Sequence, residues 1–326
     1  MRLDSQCILC LMKRHVETAA KCGDEAQVTA FTRDLMRLLC DGPAPMSAPF
    51  YAPGITKLFT EHFGLADDRF ADEKELSNRY VLERLEKITG MVRSADDPLY
   101  AGLQAAILGN YIDFSALQGE VSFDKLDEML DILYSIDVDR ESFGKLRADL
   151  EKGKELLYLT DNAGEIGFDR VFLEVIADTF PNLSITVCVR GGPTQNDATR
   201  EDAKVVGIPF AVIDNGTRIP GTVLELASDD LKEALEKADV TIAKGQANVE
   251  TLLDTGHGYN IYYAFLVKCK RFIDRFGKAK LTPMLVRGPQ RSLLLLGKFR
   301  PELQKPHFRT PAGPDRYCGG GPLGPF

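Results

Sequence analysis

The segment LTDNAGE (159–165) follows the apolar run ELLYL and sets Asp161, Asn162 and Glu165 within five residues. Three more polar segments follow apolar runs of the same kind: RGGPTQNDATRED (190–202), DNGTRIPGTVLE (214–225) and KGQANVE (244–250). Asp161, Asn162 and Asp197 offer carboxylate and amide oxygens, the donors preferred by a hard cation such as Mg2+ or Mn2+. The thiolates and imidazoles that zinc favours are not part of this pattern, and none of the four histidines falls in these segments. Gly164, Gly191 and Gly192 permit close backbone approach, and a helix starting near Ala163 offers N–H groups to an anion. Arg190 and Lys244 would bring positive charge to phosphoryl oxygens. Hard-cation binding beside an anionic, phosphorylated ligand is the chemistry this mixture suits.

Taken singly, each segment has a plainer reading. Asp161 can be a helix N-cap with Glu165 as first-turn charge, NDAT can cap a helix over 198–206, DNGT is a turn sequence, and Lys244-Gly245 can simply end a strand. Capping alone does not require lysine or arginine beside the acids, so the weight lies on the set.

The elements that must position these residues follow from periodicity. After residue 150, short apolar runs alternate with helical stretches: LLYLT (156–160), SITVCV (184–189), FAVI (210–213), VTIA (240–243) and TPMLV (282–286). That alternation predicts an α/β fold, with a three-layer α/β/α Rossmann-like core around a mainly parallel sheet. Ligands bind such sheets beyond the strand C-termini, where the polar segments lie. Residues 1–150 read as an all-helical region; in SNRYVLERLEKITGMV, Tyr80, Leu82, Leu85, Ile88 and Met91 or Val92 can share one face. The Pro-rich stretch at 41–54 and the DDP at 96–98 mark helix ends. The core is expected over 151–287, and the Pro-, Gly- and Arg-rich tail over 288–326 is expected to be an appendage. Its G-x-G-x-x-G at Gly319, Gly321 and Gly324 has neither a preceding strand nor room for a helix, so it is a chance match.

Composition narrows the classes. With 326 residues, 44% apolar and 27% charged, the chain has the profile of a globular protein with a sizeable core. A net charge of −8 argues against generic nucleic-acid binding. Seven cysteines, an odd number, fit a reducing compartment, and the six-residue apolar stretch near the N-terminus is too short for a signal-peptide core or a membrane span. A cytoplasmic location without membrane insertion is expected, with oligomeric state left open.

In order and spacing, LTDNAGEIGFDR, RGGPTQNDATREDA, DNGTRIPGTVLE and AKGQANVETL resemble the metal-dependent damage-control phosphatase family over about residues 4–287. GNYIDFSAL (109–117) resembles that family's Gly-Asn-x-x-Asp segment, and CILC near the N-terminus is typical of its largely prokaryotic branch. The resemblance implies a divalent metal (Mn2+, Mg2+, Co2+ or Ni2+) held by Asp161, Asn162 and Asp197. It also implies Glu165 near the substrate, Lys244, Gly245 and Asn248 contacting the phosphorylated ligand, Lys268 reaching it, and Asn110 and Asp113 in the same cleft. The implied reaction is phosphomonoester hydrolysis of a small metabolite, with Lys244 and the amides near 163–165 stabilising developing charge, and with either water or Asp161 or Asp197 attacking. NVETLLD stands where some relatives carry an Arg-Lys pair, so the resemblance does not carry their sugar-phosphate preference over to this chain.

Two other functions compete. Asp161, Gly164 and Gly167 after a strand also suit an S-adenosylmethionine-dependent methyltransferase, although the close-set glycine turn is missing; a non-enzymatic metal- or ligand-binding protein would keep the cleft. Cys7 and Cys10 form a C-x-x-C without a second pair, which leaves two buried cysteines, a metal site completed by His15 or Cys40, or a redox dithiol.

Overall fold

The computed structural model describes residues 1–42, 46–113, 122–255 and 258–289. The appendage expected from 288, with its glycine motif, falls outside these residues from 290 onward, as do 114–117 of GNYIDFSAL and 43–45 of the Pro-rich stretch. Met1–Arg291 forms one compact unit, and everything below concerns it.

Helices fill the first half: α1 (Ser5–Ala19), α2 (Glu25–Asp41), α3 (Ala52–Phe63), α4 (Ala71–Ser94), α5 (Pro98–Gly109), α6 (Phe123–Asp131) and α7 (Arg140–Lys152). Their starts are written in the sequence. Asp4, Asp24, Asp97, Ser122 and Asp139 each accept a hydrogen bond from the backbone N–H three residues on, which satisfies a donor the helix itself leaves open. The Asp-Asp-Pro sequence separates α4 from α5, with Pro98 in the first turn of α5. In α4 the buried stripe runs through Tyr80, Val81, Ile88 and Val92; Leu82, expected on it, is 38% exposed, because a 3.6-residue period anchored on Ile88 and Val92 passes through Val81.

The second half alternates: β1 (Glu155–Leu159), α8 (Glu165–Thr179), β2 (Ser184–Val189), α9 (Arg200–Val205), β3 (Ala211–Asp214), α10 (Asp229–Lys237), β4 (Val240–Lys244), α11 (Gly245–Leu252), β5 (Ile261–Leu266), α12 (Lys270–Phe276) and β6 (Pro283–Arg287). The sheet order is β3-β2-β1-β4-β5-β6; all neighbours are parallel except β5 and β6, which pair antiparallel. The α/β class with a mainly parallel sheet is therefore present. β5, IYYAFL, was not among the expected strands. β1 and β4 are neighbours whose chains run on in opposite directions across the sheet, which makes the ends of β1 and β4 the switch point.

Side chains alternate across the sheet. Leu156, Tyr158, Val187, Ile242 and Tyr262 face a core shared with α4, α5 and α8. Leu157, Leu159, Cys188, Ala243 and Tyr263 face a second core under α10, α11 and α12. Two covered faces make three layers, so the change from helices to strands near residue 150 is not a change of core. A separate cluster around Phe31, Leu35 and Phe59 holds α1, α2 and α3 together. No described helix is long and apolar enough to cross a membrane.

Candidate active site

The loops that leave β1 and β2 are joined to each other. Asn162 and Asp197 form an antiparallel bridge; the Ala198 N–H donates to Asp161 O at 2.7 Å, and the Ala163 N–H to Asn196 O at 2.8 Å. Residues 35 positions apart are thereby fixed side by side, and Asp161, Asn162 and Asp197 are all buried. The junction of β4 and α11 closes from the other side. Gly245, at φ +75°, lies so near that a Cβ there would sit 1.8 Å from Asp161 Oδ2, a position only glycine can occupy.

Asp161 does not cap a helix: α8 starts at Glu165 with Gly164, at φ +75°, in the cap position. Glu165 instead folds back to accept from Asn162 Nδ2 at 2.8 Å. Asn110, at the C-terminal end of α5, donates Nδ2 to Asp161 Oδ2 at 2.9 Å and to Glu165 Oε2 at 2.9 Å, while its Oδ1 accepts from the Leu266 N–H at 3.1 Å. Lys268 Nζ binds Asp113 Oδ2 at 2.7 Å. The helical first half thus reaches the strand ends through Asn110 and Asp113.

Arg190 and Lys244, expected to face phosphoryl oxygens, are wholly buried and turned to other partners. Lys244 Nζ donates to Ala106 O (2.8 Å), Glu165 Oε1 (2.7 Å) and Asp169 Oδ1 (2.6 Å), which uses its three protons. Arg190 gives Nε to Asp197 Oδ2 at 2.6 Å and NH2 to Thr160 O at 3.1 Å. Asn248, expected at the ligand, donates to Thr160 O and Lys244 O and accepts from Thr222 Oγ1, tying the ends of β1 and β4 to the β3–α10 connection. The amides of 163 and 164, expected to stabilise charge, are engaged as well: Ala163 N with Asn196 O and Gly164 N with Asn78 Oδ1 at 2.7 Å.

Several contributors escaped the sequence reading. Asp169 joins Lys244 to Tyr158, whose hydroxyl donates to Asp169 Oδ1 at 2.7 Å; the Glu165/Asp169 spacing of one helical turn was its signal. Asn78 of α4 donates to Asp202 Oδ1 at 2.8 Å, and Lys74 pairs with Asp202 at 3.0 Å. Nothing in the polar sequence of α4 marks Asn78 out. DNGT does form a turn, in which Asn215 Oδ1 accepts from the Thr217 and Gly191 N–H groups, both at 3.0 Å.

Asp113, Asp161, Glu165, Asp169 and Asp197 set five carboxylates against the three cations Arg190, Lys244 and Lys268, all within one buried network. Burial, then the carboxylates of Glu165 and Asp197, hold Asp161 well above the usual carboxylate range. Burial lifts Asp197 to about 6 against the pull of Arg190, and lifts Asp169 to about 6 against that of Lys244. Burial opposes the Lys244 charge, but Asp169 and Glu165 together hold its ammonium above the ordinary lysine value. Fully ionised, the network carries two surplus negative charges. A divalent cation matches that surplus, and the oxygen donors of Asp161, Asn162 and Asp197 match its chemistry. Among the described residues no three His, Cys, Asp or Glu side chains form a ligand group, so the amide of Asn162 is needed to complete this set.

Beside the network, between α4 and the β2–α9 connection, lies a cleft of about 780 Å³ lined by Lys74, Asn78, Arg190, Gly191, Gly192 and Arg200 among others. That is the size of a small-molecule site. The C-x-x-C is far less organised: Cys7 is buried and accepts from Arg271, whereas Cys10 and Cys40 are exposed and His15 is buried edge-on to Phe59. Gly167, which the methyltransferase alternative needs in a turn, lies inside α8 against Val81.

Comparison with known proteins finds one family and the same fold. The family described as damage-control phosphatase ARMT1-like domain matches residues 3–281. A damage-control phosphatase of Pyrococcus horikoshii is 32% identical over 279 residues, 82% of this chain and 92% of that protein. An uncharacterized protein of Methanocaldococcus jannaschii is 30% identical over 285 residues, 85% of this chain and 92% of that protein. The crystal structure of a DUF89 family protein from Pyrococcus horikoshii superposes with a TM-score of 0.72 at 28% identity, covering 89% of this chain and all of that one.

Proposed function

We propose, since this chain belongs to the damage-control phosphatase ARMT1-like family, that it is a divalent-metal-dependent phosphatase acting on a small phosphorylated metabolite. The observation that carries the reading is the Asn162–Asp197 bridge, which gathers two carboxylates and an amide from different loops into one buried group at the switch point of the sheet. Asp161, Asn162 and Asp197 would hold the cation. When bound, Mn2+, Mg2+, Co2+ or Ni2+ supplies Lewis-acid polarisation of a phosphoryl oxygen.

The chain's own residues do the rest. Lys268, which pairs with Asp113, and the NH1 group of Arg190, which has no hydrogen-bond partner among the described residues, are the cationic groups left to meet phosphoryl charge, because the Lys244 protons and the Arg190 Nε and NH2 groups are committed elsewhere. Lys244 and Asn110 act by holding Glu165 and Asp161 in place. Arg190 fixes one oxygen of Asp197 and so limits which oxygens remain for a cation. The cleft meets the network at Arg190 rather than at Asp161, Asn162 or Asp197, and exclusion of water from the buried acids strengthens every charge interaction within the network.

The test strips the protein with a chelator, restores each metal in turn and follows p-nitrophenyl phosphate hydrolysis. Turnover should require added metal and fall at least about 100-fold in the Asp161→Ala, Asp197→Ala double variant. Metal-independent turnover, or unchanged activity in the double variant, contradicts the assignment. Stoichiometric S-adenosylmethionine binding without turnover would favour the methyltransferase alternative. A panel of phosphorylated sugars, cofactors and their damaged derivatives then identifies the leaving group.

A further inference from the structure

Asn162 is a metal ligand only through its carbonyl oxygen, because an amide NH2 has no lone pair to give. In the arrangement described, that end faces away from the acids. Asn162 Nδ2 donates to Asp161 Oδ2 at 3.0 Å and to Glu165 Oε2 at 2.8 Å, while Asn162 Oδ1 accepts from Asn196 Nδ2 at 3.0 Å. Asn196 is 2% exposed, and its own Oδ1 has no hydrogen-bond partner among the described residues. A buried amide oxygen without a partner, next to an amide facing the wrong way for ligation, calls for one explanation.

We propose that Asn196 is a positioning residue that sets which end of Asn162 faces the acid cluster, and that cation binding turns the two amides over together. The inference rests on the metal dependence proposed above. Turning Asn162 alone by half a revolution about its last side-chain bond would set its NH2 against the NH2 of Asn196, donor against donor. Turning both restores the hydrogen bond with its direction reversed: Asn162 Nδ2 donates to Asn196 Oδ1, the oxygen now lacking a partner. Asn162 Oδ1 then faces Asp161 and Glu165, an arrangement that is repulsive unless a cation lies among them. Among the described residues, the hydrogen bond given up on the far side is the long one from Asn196 Nδ2 to Ile112 O, at 3.4 Å, a carbonyl that the Asn196 oxygen then faces. Rotation about an amide's terminal bond has a broad, roughly two-fold profile, so neither backbone nor packing has to move. The pair therefore has two self-consistent settings, and the cation selects one of them.

Mn2+ binding by the full chain, without substrate, tests this through the paramagnetic signal of the free ion. In Asn196→Asp the side chain can only accept, which favours the ligating orientation of Asn162. Gln195→Asp adds the same charge one residue away and controls for simple attraction. Asn196→Asp should bind Mn2+ on the order of 10-fold more tightly than Gln195→Asp. Equal affinities overturn the proposal. Independently of any variant, Mg2+ added to the wild-type chain should shift the side-chain NH2 resonances of Asn162 and Asn196 in parallel; a shift confined to Asn162 overturns it. If the wild-type chain binds neither ion, the metal reading itself falls and takes this inference with it, whereas wild-type binding with equal variants refutes the coupled amides alone.

Discussion

Lys244→Met separates a lysine that touches phosphate from one that holds the site together. Its ammonium has three protons and three acceptors at 2.6 to 2.8 Å, two of them buried carboxylates. Methionine fills similar space and removes the charge. Glu165 keeps the amides of Asn110 and Asn162 as donors, but among the described residues Asp169 keeps only the Tyr158 hydroxyl, and its Oδ2 already lacks a partner there. Removing one partner from a buried ion pair costs roughly 3–5 kcal/mol, because the remaining charge is stranded. For a chain of this size that corresponds to a fall in melting temperature of about 6–10 °C, at roughly 2 °C per kcal/mol. Most of the penalty falls on Asp169, so Asp169→Asn in the Lys244→Met background should recover stability, with a coupling energy of about 2 kcal/mol or more. Urea unfolding followed by circular dichroism, alongside phosphatase turnover, reads both quantities. If Lys244→Met lost turnover but kept its stability to within about 0.5 kcal/mol, the lysine would act on substrate and the holding role would be refuted.

Gly245→Ala places a methyl group where Asp161 Oδ2 now lies, at a left-handed backbone position, and should cut kcat/KM by about 100-fold in steady-state assays, since it displaces a reacting group by about 1 Å. Asn78→Leu strands the Gly164 N–H and takes the amide from Asp202 Oδ1, although Asp202 keeps Lys74 and Thr199, and should lower stability by about 1–3 kcal/mol in urea titrations, with a rise in KM from the loosened loop. Glu250 is lifted by burial from 4.5 to about 7, Arg271 opposing. A raised carboxyl contributes stability that is fully present below about pH 4.5 and is lost as pH rises through about 7. Glu250→Gln should therefore flatten the stability profile over that window and gain on wild type by about 1–2 kcal/mol at pH 8, measured as the difference between the two unfolding curves.

The strands were legible because each is a short apolar run bounded by polar turns: SITVCV matches β2 end to end, and the other four expected runs lie within one residue of β1, β3, β4 and β6. β5 is equally apolar and rich in aromatic residues, yet it is not among the expected strands. Asp161, Asn162, Asp197 and Asn110 were legible as a set because their motifs recur in a fixed order. Their hydrogen-bond partners were not. Composition reveals that a lysine lies near acids, but whether its protons face a ligand or Asp169 depends on the angle of α8 to β4, which no local pattern encodes. Asn78 and Asn196 are single amides in polar surroundings, and only packing across α4 and the β2–α9 connection gives them work.

The closeness of Gly245 to Asp161 bears on the order in which the protein is made. Residues 84 positions apart meet there only when β4 enters between β1 and β5, with Leu159 opposite Ala243. A growing chain that has emerged as far as residue 230 already contains Asp161, Asn162 and Asp197, but neither the lysine that holds Glu165 nor the strand that closes the far wall. A slip of one residue as β4 docks would turn Lys244 to the opposite face. Competence for catalysis should therefore arrive late and abruptly in synthesis, when the central strand seats in register, and a nascent chain stalled before β4 should expose its acids to water without yet being an enzyme.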